Sequence, residues 1–171
     1  DNERSGQGEA TVEGKLSLRW SHRLRLPPKP AWPPPAKQDF WHKKYNLNPR
    51  VTYDRAFHLV GAGDRLYLAS SADDQVRCLS LKDGRELWTS FAEAPVRLAP
   101  TLSGERLLFG ADDGFVRCLQ TSDGKLLWKN RPTELGTRRI PGNGRIIHDR
   151  PIRTGILIDG QTAYFGAGLF P

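Results

Sequence analysis

Two stretches of this chain repeat one another in register. Val76-Arg-Cys-Leu79 runs on through Asp83-Gly84 to Trp88, and Val116-Arg-Cys-Leu119 runs on through Asp123-Gly124 to Trp128. The two tryptophans stand 40 residues apart. Each copy is preceded by a short alternating apolar run behind a Gly, Gly63 to Ala69 and Gly104 to Gly110. Runs this short, rich in Leu, Tyr and Phe and bounded by Gly and Asp, read as strands. Asp113-Gly114 and Asp123-Gly124 are turn dipeptides that close hairpins. In the second copy four strands are predicted, centred on 97–102, 106–109, 115–120 and 126–129. A repeat of about 40–45 residues built from four short strands is the period of a propeller blade.

A third, incomplete copy follows. Pro151 to Ala167 matches Pro95 to Ala111 with Pro, Arg, Gly, Phe and the closing Gly-Ala in register. This spacing is wider by 16 residues, which places an enlarged loop between Trp128 and Pro151. The sequence therefore predicts an all-β chain, an arc of four-stranded antiparallel blades with two full blades and part of a third. With no Met and an end inside a repeat, it reads as a fragment of a longer protein. The expected division is a basic, proline-rich leader or linker at 1–50 and the repeats at 51–171.

The repeated Gly and Trp have a physical reading. An Asp-Gly turn reverses the chain, and four residues later a Trp stands on the last strand. A Trp side chain buries about 150–250 Å², worth up to about 4–6 kcal/mol. Trp88 and Trp128 are thus expected in the core, locking blades face to face.

The segments 76–88 and 116–128 resemble the tryptophan-docking motif of the quinoprotein dehydrogenase-like propellers, the pyrroloquinoline quinone (PQQ) repeats. That motif runs Ala-x-Asp-x-x-x-Gly-x-x-x-Trp. Gly84 with Trp88 and Gly124 with Trp128 match its spacing, while Cys78 and Cys118 replace its Ala, and Ser80 and Gln120 its Asp. The stretch Arg138 to Arg145, with 151–171, is similar to bacterial envelope members of the superfamily. The resemblance implies a β-propeller and a periplasmic or cell-envelope location. Family members that bind PQQ use adjacent cysteines, a stacking Trp and calcium ligands. None of these maps onto this sequence, so PQQ with calcium is expected only if other blades supply the site. The repeats lack the Gly-His and Trp-Asp pairs of WD40 propellers.

Cys78 and Cys118 occupy equivalent places in consecutive blades. Facing sheets lie about 10 Å apart, whereas a disulfide needs Cα atoms within about 7 Å. Two free, buried thiols are expected. The net charge is +7, and residues 15–50 carry nine Lys or Arg against the single acid Asp39. That charge suits a protein or an acidic polymer as partner. No base-reading motif supports specific nucleic-acid binding. The run from Pro27 to Pro35 holds six prolines and favours an extended, stiff connector, pinned on the repeats by Trp32. No stretch is apolar enough to span a membrane.

No nucleophile elbow, phosphate loop or zinc motif is present. The histidines, at 22, 42, 58 and 148, are scattered and read as surface or packing residues. No catalytic or metal-binding residue is assigned. The better site candidates are arginines. Arg97 and Arg153 fall at equivalent positions near the start of the innermost strand of consecutive blades. Arg138, Arg139 and Arg145 belong to the enlarged loop that would overhang the same end. Together they could form an anion or partner face. The competing reading pairs them with the turn acids Asp73, Asp74, Asp112 and Asp113. The function expected is a non-catalytic binding or assembly scaffold of the bacterial envelope. The alternatives are a fragment of a PQQ-dependent dehydrogenase, or a propeller domain appended to another enzyme.

Overall fold

The computed structural model describes residues 14–23, 40–46, 57–131, 138–142 and 145–168. The proline-rich run with Trp32 lies outside the described residues, as does the side chain of His42. A short helix, α1 (Phe40–Lys44), precedes the strands. The first blade is the antiparallel sheet β1 (Phe57–Ala62), β2 (Arg65–Ser70), β3 (Gln75–Ser80) and β4 (Glu86–Phe91), paired in that order. The second repeats it with β5 (Thr101–Ser103), β6 (Arg106–Gly110), β7 (Val116–Gln120) and β8 (Leu126–Asn130). Two hairpins follow, β9 (Arg139–Gly142) with β10 (Arg145–His148), then β11 (Leu157–Asp159) with β12 (Thr162–Tyr164). The β11–β12 hairpin and the Ile152–Ala167 bridge supply the start of a third blade. The chain is a partial β-propeller.

The repeats match to the level of irregularities. Opposite their outermost strands, β3 and β7 shift register at the same step, Cys78/Leu79 and Cys118/Leu119. A bulge at a constant place bends both outer strands alike. Cys78 pairs with Trp88, and Cys118 with Trp128. Side-chain alternation then sorts each sheet into two faces. From the first blade Tyr67, Val76, Cys78 and Trp88 meet Val96, Leu107, Phe109 and Leu119 of the second in one buried cluster. The opposite face of the second blade, with Leu108, Val116 and Cys118, packs on Ile152 and Ile156 of the third repeat.

Three expectations change. The innermost strand of the second blade begins at Thr101, so Arg97 precedes it in irregular chain. Pro95 and Pro100 flank that stretch, and neither can donate to a ladder. The enlarged loop holds the hairpin β9–β10. Trp88 is buried at 9% exposure, but Trp128 stays 39% exposed. Trp88 is covered because the β7–β8 turn of the next blade lies under it. Among the described residues no equivalent turn of the third blade lies under Trp128. Cys78 and Cys118 are free and buried, and burial pushes both thiol pKa values up.

Candidate ion-pair face at one end of the blades

Each blade builds the turn between its second and third strands around an Asp–Arg pair four residues apart. Asp73 pairs with Arg77 in the first blade, and Asp113 with Arg117 at 2.5 Å in the second. The strand alternation places these arginines on the sheet face towards the preceding blade, where they are mostly buried. Asp113 also accepts the Phe115 N–H within its own turn (3.0 Å) and the Glu93 N–H from the connection out of the first blade (3.2 Å). The local pair therefore doubles as a clasp between blades.

Asp112 sits next to this turn and is fully buried. Its carboxylate receives Arg97 at 2.5 Å and Arg153 at 3.1 Å. Arg97 comes from the second blade and Arg153 from the third repeat, so their equivalent sequence positions bring both to one carboxylate. A buried carboxylate is stable when it is paired and hydrogen-bonded, and two guanidiniums meet that need. The backbone adds to the junction: the His148 N–H donates to the Asp112 carbonyl at 2.8 Å, and the Ile152 N–H to the Ala111 carbonyl at 3.2 Å. His148 is buried, its ring lies against Gly114, and its Nδ1 accepts the Arg150 N–H at 3.0 Å.

The hairpin β9–β10 reaches back from this junction. Arg145 donates to the Ala72 carbonyl at 2.7 Å and to Asp74 at 3.1 Å, both in the β2–β3 turn. Arg139 pairs with Glu93 at 3.4 Å, beside Lys129 at 3.1 Å. Asp74 adopts a left-handed φ of 60°, where the second blade has Gly114 at 81°. Burial raises the Asp74 pKa; Arg145 opposes that shift, while Asp73 and Asp112 add to it. Arg138 stands exposed next to Arg139, and its carbonyl accepts the Asp149 N–H at 3.0 Å.

The five arginines singled out from the sequence thus divide. Arg97 and Arg153 converge on Asp112, Arg145 engages Asp74, and Arg139 pairs with Glu93 while remaining largely exposed. The face is a lattice of paired charges with Arg138 and Arg139 at its outer side. The Asp112 carboxylate faces two guanidiniums, and Cys78 and Cys118 lie on different blades. Among the described residues no group of three or more His, Cys, Asp or Glu side chains is placed to hold a metal ion. Among the described residues no helix is long and apolar enough to cross a membrane.

The docking glycines are placed as the repeat requires. An added Cβ at Gly124 would meet Trp88 at 2.6 Å, and the indole Nε1 donates to the Thr121 carbonyl at 3.0 Å. Gly84 is covered the same way by Trp20, a residue the repeat comparison passes over. Its signal lies in Gly14-Lys-Leu-Ser-Leu-Arg-Trp20, an alternating run behind a glycine.

The family model described as outer membrane protein assembly factor BamB matches residues 33–167. No curated protein matches the chain. Among solved structures, BamB from Moraxella catarrhalis is 18% identical, with a TM-score of 0.49 over 64% of this chain and 29% of that one. Quinohemoprotein alcohol dehydrogenase from Comamonas testosteroni is 19% identical, with a TM-score of 0.51 over 65% of this chain and 17% of that one. The alcohol dehydrogenase ADHIIG from Pseudomonas putida HK5 is 14% identical, at 0.52 over 64% and 16%. At such identities the likeness to the dehydrogenases speaks to the fold. The chain spans less than a third of each of these structures.

Proposed function

The chain belongs to the family described as outer membrane protein assembly factor BamB, a family of PQQ-like propellers, and we propose that it is a non-catalytic docking scaffold of the bacterial envelope. The family match over residues 33–167 carries this reading. The ion-pair face supports it. Loops set on a rigid scaffold are where propellers place their binding groups, and here an inserted hairpin is held over one end by Arg145 and Arg139. The buried Arg97–Asp112–Arg153 junction fixes the frame, while exposed Arg138 and Arg139 present positive charge to a protein partner with an acidic surface.

A photo-crosslinking residue at Arg139 of the full-length protein, in cells, tests the proposal. It should capture an envelope protein, and capture should weaken in an Arg138→Glu background. The same probe at Lys82, in the β3–β4 turn at the other end of the sheet, should capture far less. Equal capture from both positions, or none from Arg139, would overturn the assignment of this face.

A further inference from the structure

Helix α1 joins aromatic residues to Lys43 and Lys44 and carries no acid. Phe40 with Lys44, and Trp41 with Tyr45, are four residues apart, the spacing that sets side chains on one side of a helix. Trp41 and Tyr45 stack, with ring centroids 5.8 Å apart and planes 3° from parallel, and Phe40 meets Trp41 edge-on at 5.4 Å. Lys44 Nζ lies 5.9 Å from the Phe40 ring centre and 5.4 Å from those of Trp41 and Tyr45. Asn46 follows in the left-handed region at φ 50°, which ends the turn.

This cluster faces outward. Phe40 is 68% exposed, and Trp41 and Tyr45 are each 57% exposed. Among the described residues their ring contacts are with one another and with Lys44. Neighbouring aromatic side chains in water mark an interaction surface. The charge around them narrows the partner. Residues 15–50 hold nine Lys or Arg against Asp39 alone, so a second copy of the segment would set like charge against like. An anionic surface is the complement. Ring geometry narrows it further. Nucleic-acid bases stack on open ring faces, whereas Trp41 and Tyr45 turn faces on each other and Lys44 lies over all three rings. Aromatic bodies with polar tips suit the headgroup layer of a bilayer, where Trp and Tyr concentrate. A lysine stem can lie along them with its ammonium at the phosphates.

We infer that α1 is a membrane-surface anchor. Phe40, Trp41 and Tyr45 enter the headgroup layer of an anionic bilayer, and Lys43 and Lys44 meet its lipid phosphates. A helix of five residues is far too short to span a bilayer and buries little area on it. Apolar insertion and charge attraction therefore act together, and the tether is reversible. This surface is separate from the Arg139 face and stands whether or not that face binds a protein.

Flotation of the protein with lipid vesicles tests this. Vesicles of phosphatidylglycerol and phosphatidylcholine in equal parts should carry it at least ~10-fold better than phosphatidylcholine alone at low salt. The Trp41→Ala, Tyr45→Ala variant keeps every charge and should lose at least ~10-fold of that binding. The Lys43→Gln, Lys44→Gln variant keeps every ring and should lose about as much. Both pairs lie on an exposed helix outside the blades, so each variant should melt within ~2 °C of the wild type. Undiminished binding by the aromatic variant would mean that charge alone adsorbs the chain, and overturns the inference. Equal binding to neutral vesicles, or none to either kind, also overturns it. Tighter binding to oligothymidylate than to the vesicles, lost in the aromatic variant, would give the surface to nucleic acid instead. A dimer in sedimentation that the aromatic variant abolishes would give it to a second copy, and would likewise overturn the anchor.

Discussion

The Trp88 indole lies over Gly124 so closely that a methyl group there would come within 2.6 Å of the ring. Gly124 also holds a φ of +73°, where an L side chain costs about 1–2 kcal/mol. Both terms act in Gly124→Ala, and overpacking adds about 1–3 kcal/mol. The variant should lose about 3 kcal/mol in urea unfolding, with Trp88 fluorescence shifted to the red in the folded state. An unchanged midpoint and spectrum would contradict the docking geometry.

Trp88 and Trp128 share a place in the repeat but differ in burial. Trp88→Ala should cost about 3–5 kcal/mol, as large-to-small core changes do. In the 171-residue chain Trp128→Ala should cost well under half as much. Comparable losses, measured by chemical denaturation, would mean that Trp128 is covered.

Asp112 receives two guanidiniums and reaches no solvent. Removing one member of a buried charge cluster leaves the others uncompensated, at a cost of about 3–5 kcal/mol. Asp112→Ala should show a loss of that size and loosen the junction with the third repeat. Faster amide exchange at His148 and Ile152, whose N–H groups bond to this turn, is the local signature. A loss below 1 kcal/mol would deny the cluster its structural role.

Asp74 gives a pH test. Burial raises its pKa in the folded state, so the native protein holds this proton more tightly than the unfolded chain does. Its contribution to stability is therefore fully present below the unfolded value of about 3.9. It is lost as pH rises through the higher folded value. Asparagine tolerates the left-handed φ and can still accept from Arg145. The melting temperature of Asp74→Asn should gain on the wild type as pH rises from 3 to 7. A difference that is flat, or that moves the other way, would reject the burial argument.

Cys78 and Cys118 are sealed between sheets with raised pKa values, and the thiolate is the reactive form. Neither should label appreciably with a maleimide in the native protein, and both should label fully in denaturant. Rapid native labelling of either would show that its sheet opens.

The blade fold was legible because Cys, Asp-Gly and Trp recur at one spacing and each is tied to a backbone feature. The pairing of Cys78 with Trp88 is repeated at Cys118 with Trp128, bulge included. Register between the second and third copies also brought Arg97 and Arg153 to one place. Sequence could not show that both would meet one carboxylate, since which acid faces inward depends on the turn conformation. Nor did it reveal Trp20, whose glycine lies six residues ahead instead of four, outside the motif. The β9–β10 hairpin was hidden because Arg139-Ile-Pro-Gly142 carries two residues that ordinarily interrupt strands.

The boundary between the first two blades is clasped at both of its ends. Arg65 donates to the Thr121 and Ser122 carbonyls beside the Trp88 bond at one end, while Glu93 meets Asp113 and Lys129 at the other. A seam fastened at one point can rock; a seam fastened at two resists torsion. Force applied through the Arg139 corner is thus carried by two sheets moving as a single plate, and a ligand gripping that corner would meet a surface whose curvature does not yield.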